Sequence, residues 1–198
     1  VDVAYAEALG YRIKLLGLAR RVASGVELRV HPTLIPERRL IANVNGVMNA
    51  VLVKGDAVGP TLYYGAGAGA EPTASSVVAD IVDVVRTLTS DPENRVPHLA
   101  FQPGAIADLP ILPIGEVESA YYLRLSAEDK AGVLADVTRI LADHGISIEA
   151  ILQKEPLAGD TRLPVILLTQ KVLERELNEA IARIEALPTI GGAVKRIR

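Results

Sequence analysis

The rhythm of apolar and polar positions changes several times along the chain. Residues 1–10 read as the tail of a helix closed by Leu9-Gly10, a glycine C-cap. Tyr11, Ile13 and Leu15 then alternate with Arg12 and Lys14, and after a break at Ala23-Ser24-Gly25 the run Glu27-Leu28-Arg29-Val30-His31 alternates again. Period two with one wet face predicts a strand in each case, and together an antiparallel hairpin that Pro32 and Pro36 should stop. Asn43-Val44-Asn45-Gly46 predicts a turn. Residues 47–54 and 60–64 predict a second antiparallel pair around Gly55 and Gly59, giving a sheet of at least four strands. From residue 72 to 90 the spacing shifts: Val77, Ile81, Val84, Val85 and Leu88 fall on one helical face, which should be buried.

Between residues 90 and 115 the pattern dissolves. Five prolines, Pro92, Pro97, Pro103, Pro110 and Pro113, mark it as a linker. Regularity then returns. Residues 120–126 predict a strand, Val133, Leu134, Val137 and Leu141 a helix ended by Gly145, and Ile146, Ile148, Ala150 and Leu152 a second strand. Residues 163–170 are apolar on both faces and predict a central strand. Leu173, Leu177, Ile181 and Ile184 predict a second helix, and residues 193–198 a last strand. The fold class read from this order is α+β: an antiparallel or mixed sheet with helices on one face, followed by a ferredoxin-like βαββαβ unit. The division is 1–90, a proline-rich linker 91–118, and 119–198.

Composition narrows the function classes. With 21 basic and 24 acidic residues the net charge is −3, which gives no electrostatic reason to expect nucleic acid or an anionic membrane as partner. There is no cysteine, so thiolate nucleophiles and thiolate metal sites are excluded. His31, His98 and His144 are scattered without metal-ligand spacing, which argues against a metal. His31, a lone histidine ending a strand before proline, reads as packing or capping. No run of 18 apolar residues and no secretory leader pattern is present, so a cytoplasmic protein is expected. The start at Val1 inside a helix-like pattern predicts a fragment.

The candidate chemistry begins at Gly65-Ala66-Gly67-Ala68-Gly69-Ala70-Glu71-Pro72-Thr73. Alternate glycines let the backbone turn sharply and leave its N–H groups uncovered, and the start of a helix favours an anion such as a pyrophosphate. Gly65, Gly67 and Ala70 satisfy G-x-G-x-x-G/A, yet no apolar strand ending in an acidic residue follows at Thr89-Ser90-Asp91-Pro92-Glu93-Asn94, so the Rossmann unit is incomplete. A ligand-facing bend and a tight packing turn both fit these residues.

Two resemblances join these parts. The βαββαβ unit, with Glu128-Asp129-Lys130-Ala131-Gly132-Val133-Leu134 before its first helix and Gly145-Ile146-Ser147-Ile148 after it, resembles an ACT domain. That resemblance implies an amino acid as regulatory ligand, at Asp129, Gly132, Val133, Leu134 and Ser147, at an interface between two copies. Ser147 stands where many amino-acid-binding members carry Asn, and a purely structural, dimerising ACT domain is the other reading.

The first 118 residues resemble the closing part of the catalytic region of homoserine dehydrogenases. The residues that carry this are Leu9-Gly10-Tyr11-Arg12-Ile13-Lys14-Leu15-Leu16-Gly17, Val30-His31-Pro32-Thr33-Leu34-Ile35-Pro36, Asn43-Val44-Asn45-Gly46-Val47-Met48-Asn49-Ala50-Val51 and the glycine bend. With the ACT unit at the end, the chain resembles the C-terminal portion of a monofunctional member. The resemblance implies a cofactor, NADP or NAD, touched by Gly67 and Gly69, a homo-oligomer (dimer or tetramer), and feedback control by an amino acid, threonine foremost. The family's acidic and lysine catalytic residues have no counterpart here, Lys14 belonging to a different motif. No catalytic residue is carried over, and the chain alone is expected to be inactive. The reading from another class is a non-enzymatic amino-acid-binding or interaction module.

Overall fold

A computed structural model of the chain describes residues 1–91, 100–153 and 162–198. In chain order the elements are α1 (Asp2–Ala8), β1 (Tyr11–Val22), β2 (Gly25–Pro36), β3 (Met48–Lys54), β4 (Pro60–Ala66), α2 (Ala70–Leu88), β5 (Glu118–Ser119), β6 (Tyr122–Glu128), α3 (Val133–Asp143), β7 (Ile148–Gln153), β8 (Arg162–Thr169), β9 (Val172–Leu173), α4 (Glu174–Glu185) and β10 (Lys195–Ile197). Among the described residues no helix is long and apolar enough to cross a membrane. The chain divides into two compact units, Val1–Pro36 with Leu109–Arg198, and Glu37–Asp108. Packing thus groups the chain differently from the sequence division at 90 and 118. Of the linker, residues 92–99, with Pro92, Pro97 and His98, lie outside the described residues.

The first unit is built on a four-stranded antiparallel sheet in the order β10-β6-β8-β7, with α3 between β6 and β7 and α4 after β8. Alternation along β6 explains its role. Leu123, Leu125 and Ala127 point into the main core with Val165 and Leu167 of β8, where Val133, Val137, Ile140 and Leu141 of α3 and Leu177, Ala180 and Ile184 of α4 meet them. These α3 positions follow the i, i+4, i+7, i+8 spacing of one helical face. Gly132 (φ +94°) precedes the helix and Gly145 (φ +67°) turns the chain away after it, both backbone conformations that suit glycine.

The opposite face of this sheet is covered as well. Tyr122, Ile166 and Leu168 pack with Tyr5 of α1, and Leu9, Tyr11 and Leu34 close around them. This is why β8 is apolar on both faces. The β1–β2 hairpin is tied in through its backbone: Leu34 N–H donates to the Arg198 carbonyl, just past β10, at 2.6 Å, while Val26 N–H donates to Pro110 O at 2.9 Å and Leu112 N–H to Val26 O at 3.0 Å, joining it to the segment before β5. Pro32 does not stop β2, which runs to Pro36 with Pro32 opposite Leu15. A two-stranded ladder leaves alternate N–H groups unpaired, and proline is tolerated in such a strand.

In the second unit β3 and β4 pair antiparallel, from Met48 opposite Ala66 to Lys54 opposite Pro60. The four strands expected to share one sheet instead form two separate two-stranded ladders. α2 forms as its spacing requires but buries none of its residues: Val77, Ile81, Val85 and Leu88 are all more than half exposed. The face expected to be buried is apolar and uncovered among the described residues.

Candidate functional site

The glycine bend lies in the second unit, where β4 turns into α2. Gly67 N–H donates to Val47 O at 3.3 Å, closing the bend onto the start of the hairpin. A Cβ at Gly67 would stand 2.3 Å from Asn49 Nδ2, so the Asn49 amide occupies the space a side chain would need. Gly69 is the N-cap of α2 with φ +113° and ψ 161°, a region that favours glycine, and no side chain caps the helix. Its carbonyl accepts from Thr73 N–H (3.3 Å) and Thr73 Oγ1 (2.7 Å), so the first turn is tied from the threonine side and not by a cap. Gly67 lines an open hollow of about 300 Å³ with Asn49, Tyr63 and Tyr64; Gly69 is outside its lining. What the bend offers chemically is bare backbone beside two exposed aromatic rings and a helix start.

The second candidate lies in the first unit, where the loop after β6 enters α3. Glu128, Asp129, Lys130, Gly132, Val133 and Leu134 line one cavity of about 290 Å³, floored by Leu163 and Val165 of β8 and closed by Gln153 of β7. Asp129 and Gly132 are exposed at its mouth. Val133 is 4% exposed and belongs to the core, so it anchors the loop through packing. Lys130 Nζ stands 2.7 Å from Glu128 Oε2, and that bond holds the Glu128 carboxyl below the usual carboxylate range. With Glu128 engaged, Asp129 is the acidic group placed to meet a cation at the helix start. Backbone N–H groups and the positive end of the α3 dipole suit a carboxylate there. A small zwitterion matches that pair of charges.

Ser147 is not brought to this cavity. It follows α3, and the 11-residue helix, about 16 Å long, separates it from Gly132. Its carbonyl accepts from Gln170 N–H at 2.8 Å and the residue is exposed.

Two polar clusters escaped the sequence reading. Asp2 accepts from Arg124 Nε (2.6 Å), Arg124 Nη2 (3.1 Å) and the Tyr122 hydroxyl (2.8 Å). The Arg124 bonds hold the Asp2 carboxyl below its ordinary value, and burial raises the Tyr122 hydroxyl. Glu174, 1% exposed at the start of α4, accepts from Arg198 Nε (3.1 Å), from Arg198 Nη2 and from the Tyr121 hydroxyl (3.1 Å), with Arg196 Nη2 at 3.4 Å. Burial pushes the Tyr121 hydroxyl up to about 12. Sequence carried little signal for either: Asp2 opens a helix-like run, and Glu174 is the first of three successive charged residues, Glu174-Arg175-Glu176. His31 is buried as expected of a packing residue; its Nδ1 lies 3.1 Å from Pro32 O and 3.1 Å from Thr33 Oγ1, and burial lowers its pKa.

Residues 1–82 match the family described as Homoserine dehydrogenase, and residues 121–188 match the ACT domain. The chain is 69% identical over 197 residues to a homoserine dehydrogenase of Pseudomonas aeruginosa and 54% identical over 197 residues to one of Neisseria gonorrhoeae, covering 100% of this chain and 45% of each relative. A homoserine dehydrogenase crystal structure from Thiobacillus denitrificans superposes with a TM-score of 0.90 at 68% identity, over 100% of this chain and 44% of that one. The chain therefore spans less than half the length of the curated relatives it matches.

Proposed function

This chain corresponds to a C-terminal portion of the homoserine dehydrogenases, the end of the dehydrogenase region followed by an ACT domain, and from that premise we propose that it works within a longer enzyme interconverting L-homoserine and L-aspartate 4-semialdehyde. In that reaction the alcohol carbon of homoserine passes a hydride to the nicotinamide of NADP or NAD, and its hydroxyl proton goes to a base, leaving the aldehyde. No group of this chain is assigned to the proton transfer. Its part is to supply the glycine bend, where Gly67 and Gly69 face the cofactor, and an apolar surface on β3, β4 and α2 for assembly into a cytoplasmic homodimer or tetramer.

The ACT domain is read as the regulatory part. Its ligand is an α-amino acid, threonine first, with its carboxylate on the N–H groups at the start of α3 and its ammonium on Asp129. The observation that carries the enzymatic reading is the 69% identity to a homoserine dehydrogenase, over 100% of this chain and 45% of that relative. The cavity joining Asp129, Gly132 and Leu134 supports the regulatory one.

The test joins this chain to the part of the Thiobacillus denitrificans protein that it does not cover. The chimera is expected to reduce NADP+ or NAD+ in a homoserine-dependent way, the 198-residue chain alone is not, and Gly69→Ala should raise KM for the nucleotide more than KM for homoserine. A folded chimera without turnover would overturn the reading.

A further inference from the structure

Among the described residues, His144, Glu176 and Glu179 bring one ligand atom each to within 4.8 Å of one another. They come from two helices, with His144 distant in sequence from the two glutamates. His144 is the C-cap of α3, its N–H directed at the Ile140 and Leu141 carbonyls at 3.3 and 3.2 Å, and its side chain is only 13% exposed. Glu176 and Glu179, three positions apart, share one face of α4 near its start. That face meets the end of α3: His144 Nδ1 lies 3.7 Å from Glu176 Oε2 and 3.9 Å from Glu179 Oε2. Ligand atoms held about 2.0–2.2 Å from a tetrahedral ion stand about 3.3–3.6 Å from each other. Shortening the two imidazole–carboxylate separations by a few tenths of an ångström, and drawing the two carboxylates together from within 4.8 Å, turns this cluster into a coordination sphere.

We propose that His144, Glu176 and Glu179 form a binding site for a divalent transition-metal ion, zinc first, that clips the end of α3 to the first turns of α4. One imidazole and two carboxylates favour such an ion over the all-oxygen shells of calcium and magnesium. The fourth position is left to water.

The surrounding charges set a condition on binding. Arg175 Nε lies 3.3 Å from Glu176 Oε1, while Arg183 Nη1 lies 3.3 Å from His144 Nε2 and Arg183 Nη2 lies 3.6 Å from Asp143 Oδ2. An imidazole bound through Nδ1 carries its proton on Nε2 and needs an acceptor there. Arg183 is a donor, so it must leave Nε2 for Asp143 when the ion enters. Removing its guanidinium should leave the site intact or tighter.

The test uses the untagged 198-residue chain stripped with EDTA, titrated with Zn2+ by calorimetry and with Co2+ by visible absorption. One ion per chain, a visible Co2+ band and a melting temperature raised by about 3 °C or more at saturation are expected. His144→Ala and the double variant Glu176→Gln/Glu179→Gln should each weaken binding about tenfold or more, with circular dichroism reporting that both stay folded; Arg183→Gln should bind at least as well as the parent. Absence of Co2+ absorption and of a Zn2+ shift in the parent chain would overturn the proposal, as would binding kept within about twofold in both ligand variants.

Discussion

Asp2 and Arg124 stand 122 positions apart in sequence and meet in a two-point ion pair, Nε to Oδ1 at 2.6 Å and Nη2 to Oδ2 at 3.1 Å. The pair fixes the start of α1 to the second face of the ACT sheet, and the Tyr122 hydroxyl adds a third bond. Both charges are about a quarter exposed, which places the pair between a surface bridge and a buried one. Asp2→Asn is expected to cost about 1 kcal/mol in urea unfolding. Because the bonds lower the folded-state pKa of Asp2 below 3.8, its contribution is complete above that value and is lost as pH falls through the lower, folded one. The difference between parent and variant should shrink in acid. A constant gap from neutral pH to about pH 2.5 would remove Asp2 from the account.

Glu174 is a different case, because it is buried and balances Arg198 and Arg196. Removing its carboxylate in Glu174→Ala strands the Arg198 guanidinium, whose side chain is 14% exposed, and should cost about 3–5 kcal/mol. The double variant Glu174→Leu/Arg198→Met should recover part of that loss. Chemical denaturation of the three proteins measures it, and equal stability of the single and double variants would speak against a stranded charge.

On α2, Ile81 is 57% and Val85 55% exposed, one turn apart on the apolar face. Ile81→Lys/Val85→Lys removes apolar surface without opening a cavity, so stability should change by no more than about 0.5 kcal/mol. Sedimentation should show weaker self-association than in the parent chain. Identical sedimentation profiles would mean that this face takes no part in assembly.

At the cavity before α3, Asp129→Asn keeps the shape of the loop and removes the charge proposed to meet an α-ammonium. The melting temperature without ligand should stay unchanged, since Asp129 is exposed, while the rise produced by threonine should disappear. A threonine response equal to that of the parent would move the site elsewhere.

Much of the second half of the chain was legible because strand and helix periodicity are local. Leu123, Leu125 and Ala127 alternate, and Val133, Val137 and Leu141 recur at helical spacing, so the βαββαβ order follows from neighbours in sequence. The loop at Asp129 and Gly132 was legible for the same reason. What the motif does not give is distance across α3: Ser147 lies outside the cavity that Asp129 and Gly132 line.

By itself, then, the sequence determined which segments become strands and helices, where glycines let the chain turn sharply, and which face of each element is apolar. Only the tertiary structure decided what meets each face. It left the apolar stripe of α2 uncovered, placed α1 and β2 over the second face of the ACT sheet, and joined Asp2 to Arg124, Glu174 to Arg198, and His144 to Glu176 and Glu179. The physical reason is range: periodicity follows from backbone geometry a few residues long, whereas burial and ion pairing depend on which distant surfaces fill the same space.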